Sequence, residues 1–240
     1  MQTPLGEVPE DDVRALEYRL WWYLQYGNQP TSTLRETAEA RVDYGAQYER
    51  FVGHLFEERG FHVRYNGLRE GINDGGIDLI ARAPRKIRLI QCKRWNRPVN
   101  SDTISRLHGG VERFVWNERK NKPAKSRTHI LGVLVTSGDV EPEAQELAEH
   151  LGMFVMKNLS FQTYPAVKAQ EIVDGMGRFL LPFNSGYDRM AFDISKGGHF
   201  FSTVREAFAH GFYFPPFHQK LLAELYRRKK QLSSNENRNG

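Results

Sequence analysis

Tyr48, Phe51, Val52, Leu55 and Phe56 return every three or four positions in YGAQYERFVGHLFEERGF. That spacing lines one face of a helix with apolar side chains, and Gly60 closes it. The period then changes. FHVRYNG reads as a strand, REGINDGG as a glycine-rich turn, and GIDLIARA as a second strand carrying Asp78. A third strand begins after Pro84-Arg85-Lys86 and ends in Gln91-Cys92-Lys93. Ser101 and Asp102 start a helix that runs through Thr103 to about Trp116. HILGVLVT is apolar almost without interruption, as in a strand covered on both faces. Ser137-Gly138-Asp139 then turns the chain into the helix EPEAQELAEHLG, which opens acidic, and MFVMKN is a short further strand. Helix, three strands, helix, strand, helix, strand predicts an α/β layer structure around a mixed sheet.

On either side the pattern is weaker. Asp11 and Asp12 are expected to cap a helix through VRALEYRLWWYL, and Gly27-Asn28-Gln29-Pro30 to stop it. Trp21, Trp22 and Tyr23 read as packing residues of this helix. A polar helical segment is expected from about Thr33 to Val42. Beyond Ser160 the texture shifts to a helix from Ala166 to Phe179 and then a small unit, YDRMAFDISKGGHFFSTVREAFAHGFYF. In it Lys196-Gly197-Gly198 fits a hairpin turn, and Ser202 or Thr203 caps the helix VREAFA. A last helix ends in Arg227-Arg228-Lys229-Lys230, and the polar QLSSNENRNG is expected to be a disordered tail. The expected division is an N-terminal helical extension (1–43), a central α/β domain (44–159), a small C-terminal α+β appendage (160–230) and the tail (231–240).

Composition narrows the class. With 240 residues, 40% of them hydrophobic and 26% charged, the chain has the length and profile of a soluble globular protein with one sizeable core and appended elements. A net charge of +5 favours a polyanionic partner where the cations cluster. The single cysteine, Cys92, excludes an internal disulfide. MQTPLGEVPEDD lacks the apolar stretch of a signal peptide, and no run reaches the ~20 apolar residues of a membrane span. A cytoplasmic protein without membrane contact is the expectation.

The chemistry concentrates around Asp78 and Gln91-Cys92-Lys93. Strand side chains alternate, so Gln91 and Lys93 point to one side and Cys92 to the other. Two oxygen-bearing side chains and an ammonium at strand ends suit a hard divalent cation beside a phosphate, as metal-assisted phosphodiester hydrolysis requires. Asp74 is readable either as an ordinary Asp-Gly turn or as a support for the site. Gly75 and Gly76 either tighten that turn or let backbone approach DNA. For phosphate contact the candidates are Lys86, Arg94, Arg97 and a basic loop with Arg119, Lys120, Lys122, Lys125 and Arg127. Trp95 either stacks or packs. The eight histidines show no ligand spacing.

Tyr48-Glu49 in the first core helix, Asn73-Asp74-Gly75-Gly76-Ile77-Asp78 at the second strand, Gln91-Cys92-Lys93-Arg94 at the third and VLVTS at 133–137 follow one another over about 110 residues. In that order, Tyr48 to about Asn158 resembles the Mrr-like restriction endonuclease catalytic domain of the PD-(D/E)XK nuclease superfamily. The resemblance implies a restriction-endonuclease-like three-layer αβα core and cleavage of double-stranded DNA with Mg²⁺, or Mn²⁺ in its place. It implies that Asp78 is the central metal ligand and that Gln91 is the second, through its amide oxygen. This branch carries Gln-x-Lys where most of the superfamily has an acid. Lys93 is implied as the catalytic lysine and Glu49 as the group reaching the site from the helix. The implied role is defence by restriction of foreign or modified DNA. A structure-specific repair or recombination nuclease, or a non-cleaving DNA-binding accessory protein, stand as alternatives. Cutting both strands at one site favours a homodimer. The terminal extensions either read DNA, bind a defence-system partner protein or hold the dimer together. The stretch 187–214 also resembles small C-terminal modules of some bacterial nucleases; related modules carry metal-binding cysteines, and this one has none.

Overall fold

The structure, a computed structural model, describes residues 1–3, 6–27, 38–70, 76–121, 128–173, 176–219 and 227. The turn residues Asp74 and Gly75, the cations Lys122, Lys125 and Arg127, and the expected last helix (Arg227 apart) and tail lie outside the described residues. Gln2–Thr3 (β1) pairs antiparallel with Gly6–Glu7 (β2) ahead of helix α1, Glu10–Tyr26. Pro9, not Asp11 or Asp12, occupies the N-cap, and no side chain caps the helix. The acids Glu10, Asp11 and Asp12 instead fill the first turn, where the helix dipole favours negative charge. Gly27, at φ 84, ends α1 with the left-handed backbone that glycine adopts without strain. Helix α2 spans Ala38–Glu57 without a break near Val42, so the polar segment expected there belongs to the same helix as Tyr48 and Phe51.

Strand β3 (His62–Tyr65), a short helix α3 (Gly67–Glu70), β4 (Leu79–Ala83) and β5 (Lys86–Lys93) follow. Helix α4 runs Ser101–Asn121, past the expected end at Trp116. It leads to β6 (His129–Thr136), α5 (Pro142–His150) and β7 (Phe154–Met156). The five strands lie in sequence order. β3, β4 and β5 are antiparallel and β5, β6 and β7 parallel, which makes the expected mixed sheet. Each parallel step needs a crossover, and α4 and α5 supply them. Ile77, Ile80, Ile87, Leu89 and Leu134 pack with Ile104 and Leu107 of α4 and Ala144 and Ala148 of α5 on one face. Leu79, Ala81, Ile90, Cys92, Val133 and Val135 pack against Phe51 and Val52 of α2 on the other. The result is the three-layer αβα core.

The region after Ser160 departs from expectation. In place of a helix over 166–179, β8 (Val167–Val173) and β9 (Met176–Leu180) form an antiparallel pair. Two partners distant in sequence decide this. β10 (Gly198–Phe201) pairs with β8, and β11 (Phe212–Tyr213) pairs parallel with β9, giving a four-stranded sheet β10-β8-β9-β11. Gly177 shows the tight fit, since a Cβ there would stand 2.3 Å from a carbon of the Phe212 ring. Lys196-Gly197-Gly198 is not a hairpin. A 3-10 turn over Ile194–Lys196 ends at Gly197, φ 77, and delivers the chain into β10, whose neighbour is β8. Thr203 caps α6 (Val204–Ala209) as expected, in a capping box with Glu206.

One hydrophobic cluster runs through all these parts. Val13, Leu16, Leu20 and Tyr23 of α1, the α2 side of the five-stranded sheet, and Val167, Phe179, Val204 and Phe208 of the C-terminal half belong to it. Tyr23 packs inside as expected, but Trp21 does not: it is 50% exposed and sits with Tyr18 and Tyr26 in a surface row of rings. Arg50 of α2 is clamped between the extensions, donating to both carboxylate oxygens of Asp188 at 2.8 and 2.7 Å and to the Tyr23 hydroxyl at 2.9 Å. Among the described residues no helix is long and apolar enough to cross a membrane.

Candidate active site

Asp78 stands just before β4 and is fixed by its own backbone. Its N–H donates to Ile90 O at 2.8 Å, and its carbonyl accepts from Asn66 N and Gly67 N at 2.7 and 2.9 Å. Its carboxylate is almost fully buried, and Oδ2 accepts the Cys92 N–H at 2.7 Å. The β4–β5 ladder ends at the Leu79–Ile90 pair, and the acid takes up the Cys92 N–H beyond it. Glu49 comes from the other layer. The hydroxyl of Tyr48, donating to Leu159 O at 2.8 Å, anchors α2 beside it. Glu49 and Asp78 meet at Gly67: a Cβ there would stand 3.0 Å from Glu49 Oε2 and 3.1 Å from Asp78 Oδ1. Both carboxylates, with Lys93, Arg94, Tyr44, Trp95 and Asn96, line one cleft of about 710 Å³. Lys93 reaches it from the carboxyl end of β5, its ammonium 5.5 Å from the Trp95 ring centre.

Gln91 lies behind this wall rather than on it. Its side chain is 6% exposed and its Nε2 is 3.6 Å from where a Cβ on Gly76 would stand, on the side facing Arg106 of α4. Its Oε1 is buried and accepts no hydrogen bond among the described residues. A buried amide oxygen left so costs on the order of 1–3 kcal/mol. Among the described residues no three or more His, Cys, Asp or Glu side chains are placed so that together they could hold a metal ion. The cleft itself presents two carboxylates, Glu49 and Asp78, hard donors that fit Mg²⁺, which binds few protein ligands and keeps several waters; Gln91 does not line it. Cys92, on the strand face opposite Gln91, also lines the cleft. Burial first, then the Asp78 and Glu49 carboxylates, push its thiol well above the usual range.

The restriction endonuclease family of Mrr catalytic domains matches residues 43–158, the segment holding this cleft. Residues 43–158 are a Mrr-type restriction endonuclease domain. Solved structures similar to the chain include a repair endonuclease from Pyrococcus abyssi, 21% identical over 55% of this chain and 50% of that one, with a TM-score of 0.34. EndoMS in its apo form is 22% identical over 51% and 47%, with a TM-score of 0.34. The MspJI restriction endonuclease in complex with a 27-mer oligonucleotide is 20% identical over 54% and 31%, with a TM-score of 0.32. The chain spans half or less of the length of each of these three. No curated protein matches it.

The Mrr domain splits the expected cations into two groups. Arg94 lines the cleft, and Arg97 lies over Trp95, 4.7 Å from the ring centre. Lys86 opens β5 and Lys93 ends it, so at the rise of a strand they stand about 23 Å apart. Arg119 and Lys120 close α4, which runs back along the sheet, and they too sit away from the cleft, with Lys120 against Trp116. Gly76 takes φ 80 and backs onto Gln91, a turn glycine beside the site. Missing from the expectation were Tyr44, Asn96, Gly67 and above all Gln47. A glutamine inside the apolar stripe of an amphipathic helix was the available signal.

Proposed function

We propose that the chain is a divalent-metal-dependent endonuclease that hydrolyses phosphodiester bonds of double-stranded DNA, in restriction of foreign or modified DNA. The observation that carries the reading is the convergence of Glu49, Asp78 and Lys93 on one cleft of a Mrr domain. Asp78 and Glu49, which line the cleft, would hold Mg²⁺, or Mn²⁺ in its place; Gln91, expected as the second ligand, lies behind the wall with its Oε1 unpaired among the described residues. Such an ion supplies positive charge to the scissile phosphate and makes a nearby water more acidic. Lys93 adds a second positive charge at the strand end, where it orients the attacking water or stabilises charge developing at phosphorus. Arg94 and Arg97 hold flanking phosphates and orient the duplex without reading its bases. One such site cuts one strand, so cleavage of both strands calls for two copies.

The test is cleavage of supercoiled plasmid, modified and unmodified, with Mg²⁺, Mn²⁺ or EDTA. Wild-type protein is expected to nick or linearise DNA only with metal. Asp78→Ala and Lys93→Ala are each expected to lower the rate about 100-fold or more, the scale of losing a main electrostatic group. Cutting that survives EDTA, or persists in Asp78→Ala, would overturn the reading.

A further inference from the structure

Gln47 is fully buried at 0% exposure, yet its amide faces polar groups on both ends. Nε2 donates to Tyr23 O at 2.7 Å and to Leu24 O at 3.0 Å. Both carbonyls lie in the last turn of α1, where Tyr23 O also accepts the Gly27 N–H at 2.8 Å. With both donors committed there, Oε1 must point the other way, and it accepts from Arg94 Nη1 at 2.9 Å. Arg94 follows Lys93 at the end of β5, lines the cleft, and lies 5.0 Å from the ring centres of both Tyr44 and Phe161. Among the described residues it has no carboxylate partner. The guanidinium is therefore oriented by a neutral amide and two rings. A carboxylate in the place of Gln47 would orient it too, but would cancel its charge.

We propose that Gln47 is a positioning residue: it fixes Arg94 at the cleft rim with its charge unspent, so that the remaining N–H groups of the fork take a DNA phosphate next to the scissile one. The same amide holds the last turn of α1, so the docking of the N-terminal extension and the aim of Arg94 depend on one side chain. The proposal rests on the nuclease reading above for the identity of the ligand. It predicts that lysine cannot replace Arg94, since an ammonium lacks the planar fork that the amide and rings hold.

The experiment measures binding of a fluorescently labelled DNA duplex by anisotropy in EDTA, across a salt series, with thermal unfolding recorded for every variant. Arg94→Ala is expected to weaken binding about tenfold and to lower the slope of log affinity against log salt by about one. Gln47→Met is expected to weaken binding about fivefold in the wild-type background and to have almost no effect in the Arg94→Ala background, the non-additivity of a coupled pair. Gln47→Glu is expected to lower the salt slope as Arg94→Ala does. Arg94→Lys, at an exposed position that leaves Gln47 in place, is expected to keep the slope and lose affinity. Equal losses for Gln47→Met in both backgrounds would mean that it only holds α1 and would overturn the proposal. Wild-type affinity in Arg94→Lys, or in Arg94→Ala, would overturn it as well, even if the buried variants fail to fold. The nuclease reading fails separately: protein that binds with this coupling yet cuts nothing in the plasmid assay refutes cleavage and leaves the Gln47–Arg94 arrangement standing.

Discussion

Gly67 borders both acids of the candidate site. The Glu49 and Asp78 carboxylates crowd the space that any larger residue would need, at 3.0 and 3.1 Å from the missing Cβ. The Asp78 carboxylate is held by the Cys92 N–H, and Glu49 is carried on the helix that Tyr48 anchors. Gly67→Ala is expected to displace one carboxylate by a few tenths of an ångström. Cleavage should fall about tenfold or more, given how steeply rates depend on placement, while the thermal midpoint moves little. Parallel plasmid cleavage and circular dichroism melts check this. An unchanged rate would mean that the two acids do not act together.

Helix α2 and strand β8 are joined by an ion pair almost sealed from water. Lys168 Nζ lies 2.9 Å from Glu57 Oε1, with the two side chains 1% and 2% exposed. The Tyr65 hydroxyl donates to the other carboxylate oxygen at 3.1 Å, and the rings of Tyr65 and Tyr187 stand 4.8 and 4.7 Å from the ammonium. Burial raises the Glu57 carboxyl above its usual range although Lys168 opposes this. Removing one partner strands the other. Lys168→Met is expected to cost about 3–5 kcal/mol in urea unfolding, and Lys168→Met with Glu57→Gln markedly less. If the single and double variants lose the same stability, the pair contributes only through its methylenes. A lysine among apolar residues is tolerated in this interior only because the distant Glu57 pairs with it.

At the scale of the whole molecule, the continuous core makes the nuclease domain and its extensions share one stability. His54 reports on this. It lies in α2, 3% exposed, 5.1 Å from the Tyr164 ring centre and 4.4 Å from that of Phe200. Burial, and then the Lys168 charge, lower its pKa to about 4. The Glu58 carboxylate, 3.3 Å away, pulls the other way, but it is half exposed and water screens it, so burial prevails. The folded protein thus keeps His54 neutral while the unfolded chain takes a proton near pH 6.5. Between pH 6.5 and about 4 the unfolded state binds more protons, so stability falls as pH falls, by on the order of 3 kcal/mol for this group. Urea midpoints across that window should decline less steeply in His54→Gln. Equal declines in both proteins would assign the effect to other groups.

The central domain was legible because its information is local. The 3.6-residue stripe around Tyr48, the unbroken apolar run at 129–136 and the alternation that pairs Gln91 with Lys93 each follow from backbone geometry within a few residues. The order of those elements specifies a mixed sheet, and Asp78 and Lys93 sit at strand ends whatever surrounds them. Chain pattern alone did not reach contacts made across long separations. The strands β8 and β9 exist because β10 and β11 flank them, and Gln47 matters because α1 ends against it. The far placement of Lys86, Arg119 and Lys120 follows from the direction in which β5 and α4 run, which composition does not encode. Residue type and period determined which chemistry the chain carries. The tertiary structure decided which groups meet, because a buried polar contact is tolerated only where a partner from elsewhere in the chain satisfies it.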